Sequence, residues 1–281
     1  MSDQPNESTP VIAPGNVAVI TGGASGIGLA VAESMIAEGM SVVLADIDAP
    51  KLRDVEARLT ENGATAATMV CNTTSEPEVN ALAEYALEQF GAIHVMFNNA
   101  GIAGVGDAWI DPMDLWQRVL DVNVYGVVHG VRSVLPIMQQ QGVGHIVSTA
   151  SHAGLNGAPG IAPYVASKHA VVGLSESLFL ELQLLGSPVG VSVLCPEFVK
   201  TDLMNKEPDT LDSPMAQFIN QALSDGVDGG IPASEVAAQV VAAIKNDQFW
   251  ILTHDSTREA SVARVRRAAD GVNPPVNIPE S

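Results

Sequence analysis

The chain has 281 residues, 47% apolar and 16% charged, too apolar for a disordered chain and enough for one large α/β domain or two small ones. A formal net charge of −19 excludes nucleic acid and polybasic docking to anionic lipid, because such a surface repels phosphate. Aromatic residues are only 4%, so the core is expected to be built from Ala, Val, Leu and Ile, as in strands buried on both faces. Ordinary solubility explains the acidity, and a salt-adapted host is the sharper alternative. Cys71 and Cys195 form no CxxC pair and end apolar runs, as buried free thiols do. The polar stretch from Met1 to Pro10 does not resemble a signal peptide, and no apolar run approaches a membrane span, so a cytoplasmic location is expected.

In chain order, residues 1–13 read as a disordered tail. Val17 to Thr21 is a first strand, and Gly26 to Glu38 is helical with Gly39 as its stop. Ser41 to Ala45 is a second strand, a helix follows over 50–62, and Ala66 to Cys71 is a third strand. Ser75 and Glu78 have capping-box spacing, and Val79, Leu82, Ala83, Ala86, Leu87 and Phe90 then recur at helical period. Ile93 to Phe97 is a fourth strand, and a long helix runs from Asp111 and Asp114 to about Met138. His145 to Thr149, a helix over 163–185, Val189 to Leu194, a helix from Pro232 to Lys245 and a short strand from Phe249 to Leu252 complete the pattern. Such alternation predicts a doubly wound parallel sheet of about seven strands, with helices on both faces and ligands at the carboxyl ends of the strands.

The chemistry-bearing residues fall at those ends. After the first strand comes Thr21-Gly22-Gly23-Ala24-Ser25-Gly26-Ile27-Gly28, where glycines let a pyrophosphate approach the backbone at a helix N-terminus. Asp46 ends the second strand, 18 residues beyond Gly28, where a carboxylate accepts hydrogen bonds from an adenosine ribose. A 2′-phosphate would meet like charge there, and neither Ile47, Asp48 nor the glycine loop offers an Arg, so NAD is expected rather than NADP. Tyr164 and Lys168 stand four apart on one face of a helix. Lowering a Tyr pKa from about 10 to about 7 takes roughly 4 kcal/mol. An ammonium about 4.5 Å away supplies roughly 3.7 kcal/mol at an effective dielectric of about 20. The positive charge of an oxidised nicotinamide would add to this, so one lysine one turn away is expected to be about enough to make Tyr164 a working base. No His, Cys, Asp or Glu cluster has ligand spacing, so no catalytic metal is expected.

The glycine loop, the Asn98-Asn99-Ala100-Gly101 turn, Asn123, Ser151 and Tyr164-x-x-x-Lys168, with Ser151 13 residues before Tyr164, together resemble the short-chain dehydrogenases/reductases over roughly residues 15–255. The resemblance implies one Rossmann-type domain over 14–260, a lid at about 202–230, and an extension over 261–281 whose end is disordered. It implies an NAD-dependent oxidoreductase acting on a secondary alcohol or ketone, with Tyr164 as general acid/base and Ser151 bonded to the substrate oxygen. Lys168 would also hold the nicotinamide ribose, and Asn123 would hold a relay water or close a helix kink. Gly22, Ser25, Gly26, Ile27, Gly28 and Asp46 would hold the cofactor, with Asn72 and Thr73 at the adenine and Asn99, Ala100 and Gly101 along the adenosine. Pro196, Val199 and Thr201 would border the nicotinamide. A homotetramer or homodimer is implied through the helices at 111–138 and 163–185.

Two departures stand out. Asn72 replaces a common Asp, and Glu197 follows Pro196 where relatives usually carry Gly. Glu197 is expected to face solvent or a polar group of the substrate, and His152 to be a solvated or capped loop residue or a substrate contact. The lid carries Met204, Met215, Phe218 and Ile219 between polar ends, which favours a largely apolar substrate. Alternative readings are an NAD-binding sensor without catalysis and an NADP-preferring carbonyl reductase.

Overall fold

The computed structural model describes residues 10–105, 108–110, 112–204 and 214–275. Seven strands pair in parallel in the order β3-β2-β1-β4-β5-β6-β7: β1 Val17–Thr21, β2 Ser41–Asp46, β3 Ala66–Val70, β4 Val95–Asn98, β5 Gly144–Thr149, β6 Val189–Cys195 and β7 Trp250–Leu252. The order reverses between β1 and β4, and the crevice for a ligand opens at that switch point. Because side chains alternate along a strand, Ala18 and Ile20 pack on one face with α1 (Gly26–Ala37) and α2 (Ala49–Glu61). Val19 packs on the other face with α3 (Glu76–Phe90). Helices thus cover both faces of a single Rossmann-type domain, and the strands are near-continuous apolar runs.

Several elements depart from the sequence pattern for identifiable reasons. The expected capping box does not form: Ser75 makes no side-chain cap bond, and Glu78 Oε2 accepts from the Asn72 N–H at 2.8 Å instead. β4 starts at Val95, because the Gln141 side-chain amide accepts from Ile93 N at 3.0 Å and donates to Ile93 O at 2.8 Å. The single long helix is three pieces: α4 Met113–Leu120, a π turn Asp121–Tyr125 and α5 Gly126–Gln141. Pro112 stands at the start of α4, and the expected starting residue Asp111 lies outside the described residues.

Beyond β5 come a 3₁₀ turn at His152–Gly154 and α6 Ala162–Leu184. After β6 come a second 3₁₀ turn at Asp202–Met204, α7 Pro214–Gly229 and α8 Ala233–Lys245. The middle of the expected lid, residues 205–213, and the side chains of Met204 and Met215 lie outside the described residues, as do residues 1–9 and 276–281. Within the expected N-terminal tail, Ile12 is buried in the core and Asn16 Nδ2 donates to the Pro10 and Val11 carbonyls. A final helix that the sequence pattern did not mark, α9 Asp255–Ala269, crosses residue 260. Among the described residues no helix is long and apolar enough to cross a membrane.

Candidate active site

The ends of β1, β4 and β5 are joined by polar side chains around the crevice. The Thr21 hydroxyl accepts from the N–H groups of Asn99 at 3.0 Å and Ala100 at 3.1 Å. Asn99 Nδ2 donates to the carbonyls of Thr21 at 3.2 Å and Gly22 at 3.3 Å, while Thr149 donates to Asn99 Oδ1 at 3.2 Å. The glycines are demanded by this crowding: a Cβ on Gly28 would stand 2.2 Å from Gly22 O, and Gly26 sits at φ +54° against Thr201. Ser25 makes no side-chain cap bond, so the N-terminus of α1 opens on the crevice, a natural site for an anion. Asp46 accepts from Ala24 N at 3.2 Å and Asp48 N at 3.1 Å, and each carboxylate oxygen keeps a further lone pair.

A cavity of about 970 Å³ follows the strand ends. Gly22, Ser25, Gly26, Ile27, Asp46, Asn72, Thr73, Asn99, Ala100 and Gly101 line one end, and Ser151, Tyr164, Lys168, Pro196, Val199 and Thr201 line the other. Two expected site residues stand behind its wall. Gly28 packs on Gly22, and Asn123 is 1% exposed within the π turn. Asn123 Oδ1 accepts from Ile102 N at 2.9 Å, and its Nδ2 donates to Ile102 O and Ser167 Oγ, each at 3.0 Å. Both amide protons are committed, so the side chain fastens the bulged helix to the loop after β4 and to α6. Asn72 Oδ1 accepts from the N–H and hydroxyl of Thr74, closing the turn after β3.

On the reactive wall, Ser151 Oγ accepts from Ala153 N at 3.1 Å and donates to Pro196 O at 3.4 Å. The Tyr164 hydroxyl stands beside Ser151 Oγ and competes with Pro196 O for its one proton. Lys168 is 3% exposed, and its Nζ lies 5.6 Å from the Tyr164 ring centre and donates to Thr149 O at 2.8 Å. Burial pushes the Tyr164 hydroxyl above its ordinary pKa, against a lowering by the Ser151 hydrogen bond. Burial also brings Lys168 down to about 8, against a raising by Cys195. Desolvation thus disfavours the charged form of both groups where they stand.

Glu197, partly exposed at the cavity wall, is held toward α9 rather than left free. Its Oε2 accepts from the hydroxyls of Ser256 and Thr257, in the first turn of α9, and its own N–H donates to His254 Nδ1 at 3.4 Å. His152 Nδ1 meets Thr257 Oγ1 at 3.1 Å, so its ring faces α9. Leu115, Arg118, Asn220 and Val227 also line the cavity, although no motif marks them in the sequence. At its edge Lys51 Nζ stands 3.3 Å from Asp202 Oδ2, bridging the start of α2 and the turn after β6. Among the described residues no three His, Cys, Asp or Glu side chains are placed to hold a metal ion.

The glycine cradle, the carboxylate at the end of β2 and the Ser-Tyr-Lys wall can be compared with known proteins. Residues 16–212 match the family model of the short chain dehydrogenases. A CLA biosynthesis dehydrogenase/reductase of Lactiplantibacillus plantarum is 34% identical over 93% of this chain and 96% of its own length. The 1-deoxy-11-beta-hydroxypentalenate dehydrogenase of Streptomyces exfoliatus is 35% identical over 93% of this chain and 90% of its own. A crystal structure of a short-chain dehydrogenase/reductase from Burkholderia phymatum in complex with NAD superposes with a TM-score of 0.91 at 38% identity, covering 95% of this chain and 99% of that one. Site, fold and relatives agree, and the chain belongs to the short-chain dehydrogenase/reductase family, oxidoreductases of alcohols and ketones.

Proposed function

We propose that this protein is an NAD-dependent oxidoreductase of a largely apolar secondary alcohol or ketone, with Tyr164 as general acid/base. The observation that carries this reading is the convergence of Ser151, Tyr164 and Lys168 on one wall of a cavity whose other end holds the glycine cradle and Asp46. The cradle fits a dinucleotide. Gly22, Ser25, Gly26 and Ile27 would hold the pyrophosphate, and Gly28 keeps the turn tight. Asp46 would hold the adenosine ribose, Asn72 and Thr73 the adenine, and Asn99, Ala100 and Gly101 the adenosine side. Lys168 would hold the nicotinamide ribose, with Pro196, Val199 and Thr201 beside the ring. Bound NAD supplies the hydride acceptor or donor.

The chain's own groups handle the proton. Tyr164 Oη takes it from the alcohol oxygen during oxidation and returns it during reduction. Ser151 Oγ bonds the same oxygen as charge develops on it. The Lys168 ammonium, together with the positive charge that oxidised NAD would bring, would favour the ionised form of Tyr164 and so oppose the effect of its burial. Asn123 holds the helix that backs the site, and any relay water there would lie against its backbone. Preference for NAD is supported by Asp46, whose carboxylate would meet a 2′-phosphate with like charge. An apolar substrate is supported by Ile102, Ala103, Val105, Leu115 and Val227 along the cavity. A homodimer or homotetramer is supported by apolar side chains left exposed on the π turn and α6, Tyr125, Leu180 and Leu184.

Nicotinamide absorbance recorded with NAD and with NADP across a panel of cyclic and linear secondary alcohols and ketones tests this reading. Turnover with NAD at a clear advantage is the expected result. A preference for NADP would refute the role given to Asp46, and tight NAD binding without turnover would favour a sensor.

A further inference from the structure

We propose that Glu197 is a positioning residue that clamps the C-terminal helix α9 onto the Ser151 loop and so fixes the Ser151 hydroxyl. The proposal rests on the reading of Ser151 and Tyr164 given above. Its basis is a closed ring of hydrogen bonds. Thr257, fully buried, donates its one hydroxyl proton to Glu197 Oε2 at 3.3 Å. With its proton given to Glu197, Thr257 Oγ1 accepts from His152 Nδ1, 3.1 Å away, which assigns the ring proton of His152 to Nδ1. The His152 backbone N–H donates in turn to Pro196 O at 2.7 Å, and Pro196 precedes Glu197. Pro196 O is also the acceptor of the Ser151 hydroxyl.

The ring therefore joins the end of β6, the Ser151 loop and the first turn of α9. Ser256 adds a second hydroxyl to Glu197 Oε2, and a carboxylate is favoured at a helix N-terminus. Further along, Arg264 donates to Leu155 O at 2.9 Å and Asn156 donates to Ser261 Oγ at 3.4 Å, so α9 lies along the whole loop. A glycine at 197 would leave the buried Thr257 hydroxyl without its acceptor and would release Pro196 O to move with the Ser151 proton. The α9 side of this clamp, Ser256, Thr257, Ser261 and Arg264, lies beyond residue 212, outside the stretch that matches the family model.

The test uses the full-length chain in four variants: Glu197→Gly, Glu197→Gln, Thr257→Val and Ser151→Ala. Hydrogen exchange is followed in peptides covering 151–156 and 255–264. The Tyr164 ring-carbon resonance, assigned by its loss in Tyr164→Phe, reports the hydrogen bond to Ser151. Glu197→Gly and Thr257→Val should lose protection in both peptides and should move the Tyr164 resonance in the direction seen for Ser151→Ala. Glu197→Gln keeps an acceptor oxygen and should leave both readings near wild type. A folded Glu197→Gly protein with unchanged exchange overturns the clamp. Loosened exchange with an unmoved Tyr164 resonance reduces Glu197 to a structural residue and overturns its positioning role. Failure of the underlying reading shows elsewhere, as wild-type turnover in Tyr164→Phe, and leaves the exchange result untouched.

Discussion

At the scale of single residues, the site is a set of groups whose protonation is set by burial. In the proposed reading the acidic side chain of Asp46 would face the adenosine ribose, and an extra phosphate there would meet repulsion. Replacing it with Asn keeps an acceptor for the Ala24 N–H and removes the charge. The ratio of kcat/KM with NAD to that with NADP should then fall by about tenfold or more, as expected for losing a charged hydrogen bond. An unchanged ratio would place cofactor choice elsewhere. His145, 1% exposed on β5, is a second case: burial lowers its pKa from 6.5 to about 4. The unfolded chain takes up that proton more readily, so the stabilisation is complete above pH 6.5 and is lost as pH falls from there toward 4. Between pH 6.5 and about 5 the loss is on the order of 2 kcal/mol for this group. Burial depresses His94 and His152 in the same direction. Urea unfolding of the wild type and His145→Gln at pH 7 and pH 5 checks this, with a shallower acid loss expected in the variant. Equal losses would contradict it.

At the scale of elements, legibility in the sequence followed how much local chemistry an element carries. β1 and the glycine turn were readable because a close backbone approach permits so few residue types, and the buried parallel strands because they are short, nearly unbroken apolar runs. The π turn at Asp121–Tyr125 was not readable as such: the apolar period continues through it, and only the tertiary bonds of Asn123 to Ile102 and Ser167 explain the extra residue. Removing those bonds by Asn123→Ala strands buried polar atoms on Ile102, so a loss of about 2 kcal/mol or more is expected in chemical denaturation. A loss under about 0.5 kcal/mol would mean the turn holds without Asn123. α9 carries no apolar stripe to mark it in the sequence, since Thr257 is its only buried residue among those described. Glu197 was visible as a departure, but its partners lie about 60 residues away and no spacing rule connects them.

At the scale of the whole molecule, a net charge of −19 surrounds an otherwise ordinary apolar core. Self-repulsion of that size destabilises the compact state and is screened by salt. Thermal melts should therefore shift upward by several degrees between about 0.05 and 0.5 M NaCl. A flat or falling response would show that paired charges already balance the repulsion. The sheet order, the cradle at its switch point and the reactive wall make one machine only if Tyr164 moves the proton. The most direct measurement compares wild type and Tyr164→Phe in two quantities, NADH affinity by fluorescence titration and turnover of one accepted alcohol. Turnover should fall by roughly 10²–10⁴-fold, the usual contribution of a general acid or base, while NADH affinity stays within about threefold. Turnover that survives the loss of the hydroxyl would contradict the mechanism.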